Sequence, residues 1–189
     1  MGLAELFVIA VGLSMDAFAV SICKGMLLKR VTIADILKVG LWFGGFQALM
    51  PFLGYLCGSA FQTYIESYDH WIAFVLLAFL GGKMLFEAFK SEEEPANASF
   101  SVGAMLPMAI ATSIDALAVG VTFAILPDVN IGAAVGFIGV ITFVFCMIGV
   151  KLGNIFGCKY QKPAEIAGGA ILILMGLKIL LEHLELLPF

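Results

Sequence analysis

Leu13-Ser14-Met15-Asp16-Ala17-Phe18-Ala19-Val20 sits inside an apolar run that extends from Leu3 to about Ile22. A run of that length crosses a bilayer as a helix. A carboxylate in its middle costs roughly 2.5–3.5 kcal/mol on insertion scales, so such a residue faces a bundle interior or a water-filled path. The stretch then recurs. Thr112-Ser113-Ile114-Asp115-Ala116-Leu117-Ala118-Val119 carries Ser, Asp, Ala, Ala and Val at the same relative positions, 99 residues later (115 − 16). Two membrane aspartates in a duplicated context read as a pair built to meet.

Composition agrees. Of 189 residues, 62% are hydrophobic and 13% charged, and mean hydropathy is +1.08. A soluble domain is nearer half apolar and a quarter charged. The apolar runs are helix-length rather than strand-length, so the fold class is all-α integral membrane. Cys23, Cys57, Cys146 and Cys158 scatter over separate segments with no CxxC pair, which argues against a zinc site or disulfide framework. The first residues lack the positive n-region of a cleavable signal peptide.

Six spans are expected, at about 3–22, 39–60, 71–89, 102–126, 131–152 and 164–182. No segment remains for a soluble domain or a nucleic-acid-binding surface. Lys90-Ser91-Glu92-Glu93-Glu94-Pro95-Ala96-Asn97 is a solvated connector, dividing the chain into 1–90, a linker over 91–100, and 101–189. Lys24, Lys29, Arg30 and Lys38 surround the first connection, Lys90 lies in the third, and Lys151, Lys159 and Lys162 lie at the fifth. The second and fourth connections carry no Lys or Arg. The positive-inside rule therefore places both termini outside and the odd-numbered connections in the cytoplasm. Tyr64, Tyr68 and Trp71 suit the outer interface.

The duplication extends beyond the aspartates. Gly40, Gly54 and Gly58 match Gly139, Gly153 and Gly157 at the same offset, and Gly81-Gly82-Lys83 resembles Gly176-Leu177-Lys178. Each copy has three spans, and an odd number of crossings inserts the second copy upside down. Two inverted three-helix repeats are a common plan of secondary transporters, with substrate bound at the repeat interface.

On a 3.6-residue period, Gly12, Asp16, Ala19 and Cys23 share a face, as do Ala111, Asp115, Ala118 and Thr122. Both faces are small and polar, so the helices can approach closely. Two close carboxylates repel unless a cation lies between them. Oxygen-rich sites suit divalent Mg, Ca or Mn. Ser14, Ser113 and Thr112 can add hydroxyls and Gln47 an amide oxygen. Met15 and Cys146 are softer and would tilt selectivity toward a transition metal, although Met15 serves as readily for packing and Cys146 as a small buried hydrophobe. Lys83 with Glu87, and Lys178 with Glu182, are four apart and can form one-turn ion pairs. They read either as snorkelling interfacial residues or as a gate, with Glu87 the better candidate for handling the cation. Pro51 and Pro107 are expected to kink or break their helices near the site.

Six spans in two halves, with Ser14-Met15-Asp16-Ala17-Phe18-Ala19 in one and Thr112-Ser113-Ile114-Asp115-Ala116 in the other, resemble the bacterial manganese efflux pumps of the lysine-exporter superfamily. The similarity covers nearly the whole chain, including His70-Trp71-Ile72-Ala73-Phe74-Val75-Leu76-Leu77 and Gly81-Gly82-Lys83-Met84. The resemblance implies Mn2+ export across the inner membrane, with Asp16 and Asp115 central and Glu87 a further acidic residue. The residues themselves reach only a divalent cation.

The expected function is thus secondary transport of Mn2+ as substrate, with no cofactor and no enzyme activity. Moving two charges outward against an inside-negative potential costs roughly 4.6 kcal/mol per 100 mV. No Walker motif is present, so proton counter-transport on the carboxylates is the expected coupling. Another divalent cation is an alternative substrate. An intramembrane aspartyl protease also needs two facing aspartates, but neither Asp here has a Tyr-Asp or Gly-x-Gly-Asp context. A cationic amino acid carries a carboxylate that wants a fixed cation at the midplane, and none is expected there.

Overall fold

A computed structural model describes residues 2–28, 30–60, 69–90, 100–126, 129–156 and 161–183, apart from some side chains in the third and last helices. Every element among them is a helix: α1 Leu3–Met26, α2 Ile33–Ser59, α3 Asp69–Lys90, α4 Val102–Ile125, α5 Ile131–Phe156 and α6 Gln161–His183. Four of these, α1, α2, α4 and α5, are long and apolar enough to cross a membrane. Leu41 and Val140, on α2 and α5, are 66% and 63% exposed, as befits surfaces that meet lipid.

The helices outrun the apolar segments because polar residues cap them. Thr32 starts α2 six residues before the apolar span begins: its Oγ1 accepts from the Asp35 N–H at 3.2 Å, and its own N–H donates to Asp35 Oδ2 at 3.1 Å. At the other end of α1, Asn154 of α5 donates to the carbonyl of Leu28 just beyond the helix and to that of Gly25, which also accepts from the Leu28 N–H. Both prolines are carried inside continuous helices, so neither breaks its helix. Pro51 has no N–H to offer the main-chain carbonyl of Gln47.

Sequence neighbours are not packing neighbours. α1 lies mainly against α5, α2 against α4, and α3 against α6, whereas α1 and α2 barely touch. The two halves are therefore interleaved. Directions follow from the contacts. Gly149 meets Phe18 and Gly153 meets Ile22, so α1 and α5 run parallel. Gly54 meets Leu117 and Gly58 meets Val121, so α2 and α4 run parallel. Gly40 meets Phe143 while Gly44 meets Gly139, so α2 and α5 run antiparallel.

Four glycines make the tightest of these contacts. A Cβ on Gly54 would lie 1.9 Å from the Leu117 carbonyl oxygen, and one on Gly120 would lie 2.1 Å from that of Pro51. In the other pair of helices, a Cβ on Gly153 would lie 1.8 Å from the Ile22 oxygen, and one on Gly25 would lie 2.1 Å from that of Val150. Each contact is backbone on backbone, which only glycine permits. The two interfaces are not copies. Leu117 is the counterpart of Phe18, yet Gly153, the counterpart of Gly54, sits on Ile22. Val150 is the counterpart of Pro51, yet it meets Gly25 rather than Ser21, the counterpart of Gly120. Both comparisons give one displacement of four residues, about one helical turn or ~6 Å.

Candidate functional site

The core comes in two apolar clusters. One holds Ile9, Leu13, Met15, Val119, Phe123 and Ile138, and the other Ala17, Phe43, Met105, Ala109, Cys146 and Val150. Along each helix the residues between the clusters are the polar ones. Asp16 separates Met15 from Ala17 on α1. Gln47 follows Phe43 on α2. Thr112, Ser113 and Asp115 lie between Ala109 and Ala116 on α4, and Thr142 lies between Ile138 and Cys146 on α5. A polar layer thus crosses the middle of the bundle.

Gln47 is fully buried and joins three helices in this layer. Its Nε2 donates to the Leu13 carbonyl at 2.9 Å, and its Oε1 accepts from Ser113 Oγ at 2.9 Å. The amide therefore fastens α1 to α4 beside both aspartates. In this arrangement Gln47 holds the site's frame, with its side-chain oxygen engaged by Ser113. Ser14 Oγ donates to the Val11 carbonyl, and Thr112 Oγ1 to that of Met108. Each hydroxyl oxygen keeps acceptor capacity toward a cation. Met15 is buried within the first apolar cluster, and Cys146 within the second.

Asp115 is 3% exposed. Lys83 Nζ from α3 lies 3.4 Å from its Oδ1, while its buried Oδ2 has no hydrogen-bond partner. Glu87 stands four residues on along the same helix, and the packing of α3 on α4 gives Lys83 a partner there as well, the Asp115 carboxylate. A fixed cation therefore does stand beside an aspartate, contrary to the ground on which a cationic amino acid was disfavoured. Lys178 likewise reaches across helices and pairs with Glu5 of α1. Glu5 also accepts from the Gly2 N–H at 3.0 Å, so it fastens the start of α1 and the side of α6 together. The side chains of Glu87 and Glu182 lie outside the described residues. Asp16 is partly buried. Among the described residues, no group of three or more His, Cys, Asp or Glu could hold a metal ion. Donors for a cation here would be the aspartates with neutral oxygens, as hard ions allow.

Thr142 is the residue that sequence reading passes over. Its hydroxyl is fully buried without a partner. The helical hydroxyls of Ser14, Ser21, Ser59, Thr112 and Thr122 all bond carbonyls three or four residues back. Ser113 has Gln47, which leaves Thr142 the exception among the described residues. The parallel register sets it level with the Gly12–Met15 stretch of α1, since Phe7 packs on Phe137 and Phe18 on Phe145. One signal was available in the sequence: Thr142 is one turn from Cys146 on the same face.

Comparison with known proteins identifies the family. The family model described as "Putative manganese efflux pump" matches residues 30–180. A protein of Desulfitobacterium hafniense named "Putative manganese efflux pump MntP" is 56% identical over 187 residues, covering 99% of this chain and 98% of the relative. Proteins of the same name from Acetivibrio thermocellus and Bifidobacterium adolescentis are 55% and 51% identical, each over 98% of this chain and over 93% and 99% of the relative. No solved structure matches. The chain belongs to the manganese efflux pump family, a family of membrane transporters and not of enzymes.

Proposed function

We propose that the chain exports Mn2+ from the cytoplasm as a secondary transporter of the bacterial inner membrane, binding the ion at Asp16 and Asp115 within the polar layer. The observation that carries this reading is the buried Asp115 carboxylate, whose Oδ2 lacks any partner. A buried acceptor left unmade costs about 1–3 kcal/mol, and more if charged. An arriving divalent cation removes that cost. Ser14, Thr112 and the Gln47–Ser113 bridge surround the same level.

Six spanning helices in two inverted repeats, 1–90 and 101–189, are the architecture of this reading. It is supported by the opposite directions of α2 and α5 and by the interleaved packing. The one-turn displacement between the α2–α4 and α1–α5 contacts supports a two-state device. One-turn slips between packed helices are a known form of switching. If the two interfaces exchange registers, the layer opens to the other side, which is alternating access in an inverted repeat. Small residues stand at both registers, Ser21 and Gly25 on α1 and Gly120 and Ala124 on α4.

A cationic amino acid is the second reading, favoured by Lys83, which could meet its carboxylate. Proteoliposomes given radioactive Mn2+ or radioactive lysine separate the two. We expect Mn2+ transport alone, and lysine transport without Mn2+ transport would overturn the assignment.

Orientation has its own test. Single cysteines in the 61–68 connection and at Asn130 should react with an impermeant thiol reagent from outside, and cysteines at Arg30 and Lys159 should not. Opposite accessibility in one half alone would end the inverted-repeat architecture.

Thr142→Val keeps the side chain's shape and removes the orphan hydroxyl. It should lower Mn2+ export several-fold while leaving the protein at least as stable, because an unpartnered buried hydroxyl is destabilising. Unchanged export at matched protein level would place Thr142 outside the ion's path.

A further inference from the structure

Lys83 occupies a position that transport alone does not require. It comes from α3, yet its ammonium reaches the carboxylate of Asp115 on α4. Its 3.4 Å separation is long for a charge-assisted hydrogen bond, whose usual range is about 2.7–2.9 Å. The Lys83 side chain is 37% exposed, whereas that of Asp115 is 5% exposed. The cation thus stands at the edge of the site on a flexible four-carbon stem, with a way out, while the anion is fixed inside. Only one carboxylate oxygen is engaged, and Oδ2 stays open to a second cation.

We propose that Lys83 is a tethered counter-cation that exchanges with the transported ion at Asp115. This rests on the reading of Asp115 as part of the Mn2+ site. An empty carrier must return across the same layer with its carboxylate still buried. An isolated buried carboxylate is costly, and removing one partner of a buried pair is strongly destabilising. The ammonium neutralises Asp115 in the empty state. When Mn2+ arrives at Oδ2, the divalent ion repels Lys83 through a few ångströms of protein, and the stem swings outward. When the ion leaves, Lys83 falls back and blocks rebinding. Lys83 keeps its proton throughout, and no bond is made or broken. It acts as a positioning residue, lowering affinity and speeding release. Lys178, its counterpart in the second half, is also engaged by a carboxylate of an aspartate-bearing helix, Glu5 of α1. The same type of contact is thus made in both halves, at the site in one and near the helix start in the other.

The test separates affinity from turnover. Radioactive Mn2+ binding is measured on purified protein, and KM and kcat are measured by uptake into energised inside-out vesicles. Lys83→Met should bind Mn2+ about tenfold more tightly or better, because a nearby like charge is gone, and its kcat should fall by a similar factor. Lys83→Arg should stay near the parent in both. A purely structural lysine gives a different pattern, with weaker binding or unchanged kcat in Lys83→Met, and that result overturns the exchange. If Lys83→Met does not accumulate, the parent protein supplies the second measurement. Modification of Lys83 by an amine-reactive reagent, followed by mass spectrometry, should rise on saturation with Mn2+. An unchanged or lower yield overturns the proposal. Asp115→Asn keeps the two ideas distinct: parental Mn2+ affinity in that variant would sink the site itself, and not merely the role of Lys83.

Discussion

Asp115→Asn and Asp16→Asn are each expected to abolish Mn2+ export while the protein remains inserted and folded. The amide keeps the shape and part of the hydrogen bonding but removes the charge that binds a hard divalent ion. For Asp115 the change also removes one anionic partner of Lys83, but the lysine side chain is partly exposed, so no cation is left fully buried. Loss of export should therefore not be loss of fold. Export is measured from Mn2+-loaded, energised cells at matched protein level, alongside the yield of folded protein in detergent. Wild-type export from either variant would remove that aspartate from the site. Loss of the protein itself would point to a structural Asp. Asp→Glu is a finer version. The layer is closed by Gln47 and by small residues, so a carboxylate displaced by one C–C bond should restore little or no export.

The second large effect concerns the glycine contacts. Gly153→Ala should lower the stability of the folded protein by about 2–3 kcal/mol or more, the upper end of overpacking costs. Its Cβ would sit 1.8 Å from the Ile22 oxygen, and neither backbone can yield without separating α1 from α5. Gly54→Ala should behave alike at the α2–α4 contact. Gly136→Ala is the control, since a Cβ there meets nothing within 4 Å. Alanine in an open helical position is favoured over glycine by about 1 kcal/mol, so this variant should be neutral or slightly more stable. Thermal unfolding in detergent reads all three. Equal midpoints for Gly153→Ala and Gly136→Ala would mean that the close approach contributes nothing.

Helical class and the family were legible because hydropathy and the duplicated motif can be read along the chain without knowing how its helices pack. What escaped is relational. Gln47 offers an amide oxygen by its place on α2, whereas its bonds to Leu13 and Ser113, 34 and 66 residues away, follow from packing alone. Helical spacing relates Lys83 to Glu87, whereas its contact with Asp115 comes from the packing of α3 on α4. The contact of Lys178 with Glu5 likewise comes from packing across helices. Thr142 gave no alarm, because a hydroxyl in an apolar helix normally bonds its own backbone. Gly25 and Gly120 fell outside the repeat because their counterparts are Ala124 and Ser21. That departure from the offset of 99 is the sequence record of the one-turn displacement, and it is visible only once the helices are packed.

The most direct test of the paired-aspartate site is anomalous scattering at the manganese edge from crystals of the Mn2+-loaded protein. A peak is expected between the carboxylates of Asp16 and Asp115, absent from Asp115→Asn crystals grown in the same Mn2+ concentration. A peak away from both aspartates, or one of equal height in Asp115→Asn, would contradict it.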